Sequence, residues 1–453
     1  MLSARFAQRL AVALAAAALV ACGGSDDDGA VAPPASCSVT DHQQWLGNYM
    51  SDWYFWYRLS PHPDAAAYAD VESYFEALLY TGSDPAFPAD RWSRSESTES
   101  FNRFYGEGST LGYGVSVAGL EVSGQPTQPL YVRHVEPLSP AAVQGVQRGD
   151  EVLSMNGRSV YDLIAADDFS DLTADAAGEQ LTLVLRRGGV QRTVIVAAAV
   201  FTLTPVSGTA VLSTAAGRKL GYVAVKDMIG QVLPPLETSF ARFKAERVDD
   251  VVLDLRYNGG GLVSTGGTLA SYVAGARADG RRYATLLYND KQSGSNQTFA
   301  FSTPASALGL PRVFVLMGRR TCSASEQVIN GLRGVGVEVV AVGETSCGKP
   351  VGSLPTPACD RTYSVINFES VNDRFEGRYF DGFDATCAVD EDFSAAQGSS
   401  ADPLMAAASH FADSGNCPAP GAAGATRKQA LAAPGPRRAT RPEAGERDGM
   451  NPR

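Results

Sequence analysis

From Leu220 onward, short apolar runs of strand length alternate with longer stretches of helical period: Gly221 to Val225, Leu233 to Ala245, Val251 to Leu255, Gly261 to Val273, Val313 to Met317, Ser325 to Arg333 and Val337 to Val342. A strand that is apolar at every position must be covered on both faces, and the intervening helices supply that cover. This part of the chain is therefore expected to form an α/β core around a largely parallel sheet. At 453 residues, 44% of them apolar, the chain is too long for one ordinary domain, so further folded units should precede that core.

A formal charge of -11 without a Lys/Arg stripe disfavours nucleic acid and points to proteins or peptides as partners. Met1 to Cys22 carries Arg5 and Arg9 and then the apolar run Leu10 to Ala21, too short to span a bilayer and suited to a secretory signal. Its end, Leu19-Val20-Ala21-Cys22-Gly23, resembles the bacterial lipobox, which implies cleavage before a lipid-modified Cys22. Gly23 in place of Asp implies, by the same resemblance, the outer membrane of a Gram-negative cell, facing the periplasm or the cell surface. An ordinary signal cut nearby at a small residue is the other reading. Residues 23–36, rich in Gly, Asp and Pro, cannot bury a core and are expected to be a disordered tether.

The remaining cysteines, Cys37, Cys322, Cys347, Cys359, Cys387 and Cys417, are even in number, so an exported chain should form disulfides whose connectivity the spacing leaves open. With no C-x-x-C pair and four scattered histidines, His42, His62, His134 and His410, neither a metal site nor a cofactor is expected.

Trp45, Tyr49, Trp53, Trp56 and Tyr57 recur at three- and four-residue spacing, and Tyr68, Phe75 and Leu79 continue the pattern. A helical domain over residues 37–107 with an aromatic core is expected. Residues 108–202 alternate strand-like segments with turns: Leu111-Gly-Tyr-Gly-Val115, Leu130 to Val135, Ser139-Pro-Ala-Ala-Val143, Arg148-Gly-Asp-Glu-Val-Leu153 and Met155-Asn-Gly-Arg158. These landmarks resemble a PDZ domain. The resemblance implies that Leu111, Gly112, Tyr113, Gly114 and Val115 receive a peptide's terminal carboxylate and add the peptide as a strand. After Cys417 the sequence has no periodicity, and residues 418–453 are expected to be a disordered tail.

Three elements carry chemistry. The strand Val313 to Met317 leads through Arg320-Thr-Cys-Ser-Ala-Ser-Glu326 into a helix, placing Ser323 at a strand-to-helix elbow whose free N–H groups face the same crevice. Ser323-Ala-Ser-Glu326 also spells a capping box, in which the serine would merely satisfy a backbone donor. A second strand ends in Gly343-Glu-Thr-Ser-Cys-Gly-Lys-Pro350, so a neighbouring parallel strand could deliver Lys349 to that crevice. Desolvation there would favour the neutral amine, able to take a proton from serine. The third element, Val251-Val-Leu-Asp-Leu-Arg-Tyr-Asn-Gly-Gly-Gly261, runs a buried strand into three glycines, and the N–H of Gly259 or Gly260 could join that of Ala324 in an oxyanion hole. A phosphate loop competes with that reading, but the spacing of a P-loop or a Rossmann turn is missing.

In this order and behind a PDZ unit, the three elements resemble the C-terminal processing peptidases, the S41-type serine peptidases. The family's Asp-Leu-Arg-x-Asn-Gly-Gly-Gly stretch matches Asp254 to Gly261, its Ser-Ala-Ser-Glu matches Ser323 to Glu326, and its Gly-Lys matches Gly348-Lys349. The resemblance covers Leu111 to Gly352. It implies a multidomain α+β and α/β chain: a helical N-terminal domain, a PDZ β-domain and a crotonase-like α/β serine peptidase core over residues 203–417. It further implies a Ser323–Lys349 catalytic pair acting on proteins with accessible C-termini. Many members carry a glutamine four residues beyond the lysine, where this chain has Ser353, so the partner that orients Lys349 is open between Ser353 and Glu326. If the pair meets, the flanking Cys322 and Cys347 should meet as well, and pairings of Cys359 with Cys387 and Cys37 with Cys417 complete the expected set. A tethered lipoprotein that binds peptides without cleaving them is the alternative, and the oligomeric state is open.

Overall fold

The computed structural model describes residues 32–118, 129–166, 168–419 and 449–452. Cys22, the rest of the signal segment and most of the tether lie outside the described residues, as does most of the tail. Among the described residues no helix is long and apolar enough to cross a membrane.

The α/β expectation is met by a six-stranded sheet in the order Val206–Ser213, Lys219–Val225, Asp250–Asp254, Arg312–Met317, Glu338–Gly343 and Cys387–Ala388. The first strand pairs antiparallel with the second, and every later pair is parallel. Side chains alternate between the faces, as the pleat requires. Val251, Leu253, Val313 and Val315 pack with Phe240, Leu269 and Val328 of three helices on one face. Val252, Phe314, Leu316 and Val340 pack with Leu404, Ala408 and Phe411 of the helix Pro403–Ser414 on the other. Coverage of both faces explains why these strands are apolar throughout. Beside this layer lies a four-stranded antiparallel sheet of Gln297–Ala300, Arg282–Tyr288, Ile366–Val371 and Val351–Ser353.

The N-terminal helices Val39–Trp53 and Val71–Leu78 are capped by the side chains of Ser38 and Asp70, each accepting a backbone N–H. Trp45, Tyr49, Trp56 and Phe75 are buried, and Trp45 and Tyr49 stack with ring centroids 5.2 Å apart. These rings pack against Tyr363 of the core, and the strand Arg94–Ser97 joins a sheet with Arg361–Ser364 and Thr356–Ala358. The helical layer thus shares its hydrophobic burial with the core.

In the next unit, the strands Val115–Ala118, Leu130–Val135, Glu151–Met155, Gln180–Arg187 and Val190–Ala197 form an antiparallel sheet. Arg158–Ser159 pairs back onto it through a turn in which Asn156 and Gly157 both have positive φ, the conformation that Asn-Gly hairpin turns favour. Its Arg148 reaches out of the unit, donating to Tyr257 Oη at 2.6 Å and Glu391 Oε1 at 2.8 Å.

Disulfides join Cys37 to Cys359, Cys322 to Cys347 and Cys387 to Cys417, with Cα atoms 5.8, 5.2 and 5.4 Å apart. The expected pairings of Cys359 with Cys387 and of Cys37 with Cys417 are corrected. Cys359 lies in the turn of the sheet that takes up the N-terminal layer, so it faces Cys37. Cys387 lies on the edge strand of the six-stranded sheet, beside the end of the helix that Cys417 follows. Within the expected tail, the described residues Gly449–Asn451 depart from disorder: they form a strand paired in parallel with Gly260–Leu262, and Met450 and Asn451 are buried. Three residues are too few to show a period, so the sequence carried no signal for them.

The Asp-Leu-Arg stretch builds a buried ion network. Arg256 donates to Asp254 Oδ2 and Asp402 Oδ2, both at 2.6 Å, and reaches Glu391 Oε1 at 3.2 Å. Tyr222 donates to Asp254 at 2.8 Å. Burial pushes the Asp254 carboxyl up, but Arg256 together with the hydrogen bonds from Gln397 and Tyr222 outweighs it and holds the group below the usual aspartate range. Its contribution is therefore present above that range and lost as pH falls through the depressed value. Arg256→Met leaves two buried carboxylates uncompensated and is expected to lower stability by about 3–5 kcal/mol. The measurement is the urea midpoint at neutral pH, and a midpoint equal to wild type would refute the role assigned to this network.

Candidate active site

Ser323 sits at the elbow between the strand Arg312–Met317 and the helix Ala324–Gly334, with φ 59° and ψ -117°. That region is nearly closed to side-chain-bearing residues. Strain there costs on the order of 1–3 kcal/mol and persists where the surroundings enforce it, often at functional sites. The surroundings are plain here: Cys322 N–H donates to the Asn258 carbonyl at 3.1 Å, and Ser323 N–H donates to Glu326 Oε2 at 2.9 Å. Ser323 and Glu326 are disposed as in a capping box, but only the glutamate half closes as a hydrogen bond. The Ser323 hydroxyl is fully buried and has no hydrogen-bond partner. Ser325, by contrast, is engaged, donating to Asn258 Oδ1 at 2.7 Å and lying 3.0 Å from the Asn258 carbonyl.

Glu326 organises the other half of the crevice. Its Oε2 also accepts Lys349 N–H at 2.8 Å, and its Oε1 accepts Gly348 N–H at 2.8 Å and Ser346 Oγ at 2.5 Å. Because Ser323 and Lys349 donate to one oxygen, their amide nitrogens lie within two hydrogen-bond lengths of each other. The Cys322–Cys347 disulfide crosses the same gap. Lys349 is 2% exposed. Gly348 has φ 82°, and a Cβ there would lie 2.1 Å from the Phe380 carbonyl oxygen, so only glycine permits this approach. Burial pushes the Glu326 carboxyl above the ordinary glutamate value, and the hydrogen bonds from Ser346, Lys349, Gly348 and Ser323 act in the opposite direction. Cys322, Glu326 and Cys347 converge closely enough to suggest a metal cluster. Both sulfurs are joined in the disulfide and the carboxylate is filled with protein donors, so the group reads as a clasp between elbow and loop.

The glycine run lies across the crevice. Asn258 Oδ1 accepts Gly260 N–H at 2.9 Å, and Asn258 Nδ2 donates to the Val225 carbonyl at 3.0 Å. The Gly260 N–H is thus committed to supporting the turn. Ala324 is the first helical residue, and the first amides of a helix have no partner within it. Ser353 lies in the strand Val351–Ser353, where a bulge sets it opposite Ile366. Asn258 and Ser346 carry no signal in the sequence that marks them as parts of this site. Asn258 stood inside the recognised run, but only the fold shows one amide side chain serving both the glycine turn and the elbow.

In the PDZ-like unit, Leu111, Gly112, Tyr113, Gly114 and Val115 line one pocket with Glu136, Phe201 and Lys226. Tyr113 and Val115 also belong to that unit's buried core. Lys226 follows the core strand Lys219–Val225 and lies 3.5 Å from Asp227, so the pocket is closed on one side by the core.

A helical layer, a PDZ unit and a two-sheet core holding a serine elbow against a lysine loop define a PDZ-bearing peptidase architecture. The model of the peptidase S41 N-terminal domain matches residues 41–94, that of a PDZ domain matches 131–187, and that of peptidase family S41 matches 219–373. Residues 219–373 thus belong to peptidase family S41, behind the family's N-terminal domain and a PDZ domain. The chain is similar to the chloroplastic C-terminal processing peptidase of Tetradesmus obliquus, 29% identical over 248 residues, which are 52% of this chain and 51% of that protein. It is also similar to the carboxyl-terminal-processing protease of a Picosynechococcus species, 26% identical over 242 residues, 52% of this chain and 54% of that one. The chain thus spans about half the length of the curated relatives it matches. Among solved structures, an S41 protease from Bacteroides fragilis aligns with a TM-score of 0.62 at 24% identity, covering 82% of this chain and 97% of that one. The photosystem II D1 C-terminal processing protease aligns with a TM-score of 0.51 at 20% identity, covering 78% and 94%. At these identities the structures speak for the fold.

Proposed function

We propose that this chain is a serine endopeptidase that hydrolyses exported proteins through Ser323 and Lys349. The observation that carries the reading is the buried, unpartnered Ser323 hydroxyl on its strained elbow, with the Ser323 and Lys349 amides sharing one Glu326 oxygen. A buried polar group without a partner is costly and calls for a function. Desolvation disfavours a lysine's charged form, so a neutral Lys349 amine can accept the Ser323 proton as Oγ attacks the substrate carbonyl. The N–H groups of Gly259 and Ala324 receive the oxyanion. Collapse breaks the C–N bond, the proton passes to the departing amine, and water then releases the acyl group from Ser323.

The pocket around Leu111–Val115 is the proposed seat for a substrate's C-terminal carboxylate, which would meet loop amides and Lys226. Export with lipid attachment at Cys22 rests on the signal and lipobox pattern in the sequence. Trapping tests the chemistry. A slowly deacylated aryl ester, quenched in acid, is expected to add one acyl group to the peptide that contains Ser323, as read by mass spectrometry. The same adduct on Ser323→Ala would overturn the assignment.

A further inference from the structure

The strand Gly260–Leu262 follows directly from the glycine turn and has two edges. One is closed by Met228, whose N–H donates to the Gly260 carbonyl at 3.0 Å and whose carbonyl accepts Leu262 N–H at 2.7 Å. The other is taken by Gly449–Asn451, in the register Gly260 to Gly449, Gly261 to Met450 and Leu262 to Asn451. On its far side this short strand lies against Val351–Ser353, the strand that follows Lys349. A Cβ on Gly352 would fall 2.5 Å from the Met450 carbonyl oxygen, so glycine at 352 makes room for a backbone there. Met450 is fully buried in the same apolar cluster as Ala324 and Val328 of the serine helix and Phe368 of the neighbouring sheet. Gly449–Asn451 therefore threads between the element carrying the proposed oxyanion glycine and the one carrying the lysine, with one unbranched apolar side chain sunk in the core.

An unpaired strand edge beside a nucleophile is where an extended peptide would be held, because main-chain pairing accepts any sequence and a single pocket selects a side chain. We infer that the Gly260–Leu262 edge is the peptide-strand acceptor of this peptidase. It takes substrates that place an unbranched apolar side chain in the Met450 pocket, and residues 449–451 occupy it as an intramolecular competitor. A tethered strand competes at an effective concentration of the order of millimolar. It should raise KM and leave kcat alone, since a productive complex forms only after the strand has left.

The consequence for turnover rests on the Ser323–Lys349 reading, whereas the strand pairing stands apart from it. The test uses the full chain. Met450→Asp places a charge in the apolar pocket and should release the strand, lowering KM for an unfolded protein about 10-fold or more at similar kcat. A synthetic peptide of residues 447–453, added in trans, should inhibit Met450→Asp competitively, and its Met450→Asp counterpart should not. In the Ser323→Ala, Met450→Asp chain, fluorescence anisotropy should show that peptide binding where Ser323→Ala alone binds it weakly. Unchanged KM together with absent peptide binding would overturn the assignment, as would a loss of melting temperature with KM unchanged, which marks Met450 as core packing only. Peptide binding without Ser323-dependent turnover in any variant would support the acceptor edge and refute the peptidase reading.

Discussion

Ser323→Ala and Lys349→Ala each lower kcat for an unfolded protein substrate by roughly 10^4- to 10^6-fold, and the double variant is little worse than either single one, because nucleophile and base act as a unit. Melting temperatures should stay close to wild type, since the bonds of both residues to Glu326 pass through main-chain N–H groups that alanine retains. Lys349→Arg is not expected to rescue turnover. A guanidinium stays charged and cannot take the serine proton, and the planar fork does not fit a crevice where the lysine is 2% exposed. Cleavage measured by fluorescence release and by gel decides the matter, and a Lys349→Ala chain as active as wild type would refute the pair.

Glu326→Gln is expected to damage both activity and stability. The carboxylate receives two donors on each oxygen, from Ser323 and Lys349 on one and from Ser346 and Gly348 on the other. An amide can satisfy one such pair, but its NH2 end then faces two donors. Leaving two buried donors unpaired costs about 2–6 kcal/mol, and the displaced elbow should lose about 10^2-fold in kcat, as small misplacements of reacting groups do. The pH dependence has a definite sign. A glutamate raised by burial contributes stability that is fully present below its unfolded value and is lost as pH rises through the raised folded value. The glutamine variant lacks that slope, so its deficit against wild type is largest at acid pH and narrows towards neutral. Urea unfolding from acid to neutral pH measures it, and a deficit that widens with pH would show that the four donors outweigh burial.

The recognisable parts of this protein were those whose chemistry is local. A strand covered on both faces must be apolar throughout, so the runs around Val251, Val313 and Val337 specify a parallel sheet by their composition alone. The elbow at Ser323, the glycine turn after Asn258 and the Gly348-Lys349 step likewise depend on backbone conformations that few residues tolerate. The Cys322–Cys347 pair followed from bringing those two segments together. The other two disulfides did not follow, because Cys37 and Cys417 lie outside any strand, before the first helix and after the last, and separation along the chain says nothing about which turn or edge strand each will meet.

The role of Glu326 shows the boundary most clearly. In sequence, Ser323-Ala-Ser-Glu326 reads equally as a helix cap, and hydrogen-bonding partners cannot be counted from residue types. In the fold, the serine hydroxyl is left without a bond while the glutamate spends all four of its acceptor positions joining the elbow to the lysine loop. The S41 architecture, the chemically able residues and their order were determined by sequence alone, because periodicity, glycine placement and spacing act over a few residues. The clasp at Glu326, the turn support from Asn258, the Cys37–Cys359 and Cys387–Cys417 disulfides and the burial of Met450 in the core were decided only by tertiary structure. Each depends on which distant segments share a buried space, and that is settled by packing the whole core at once.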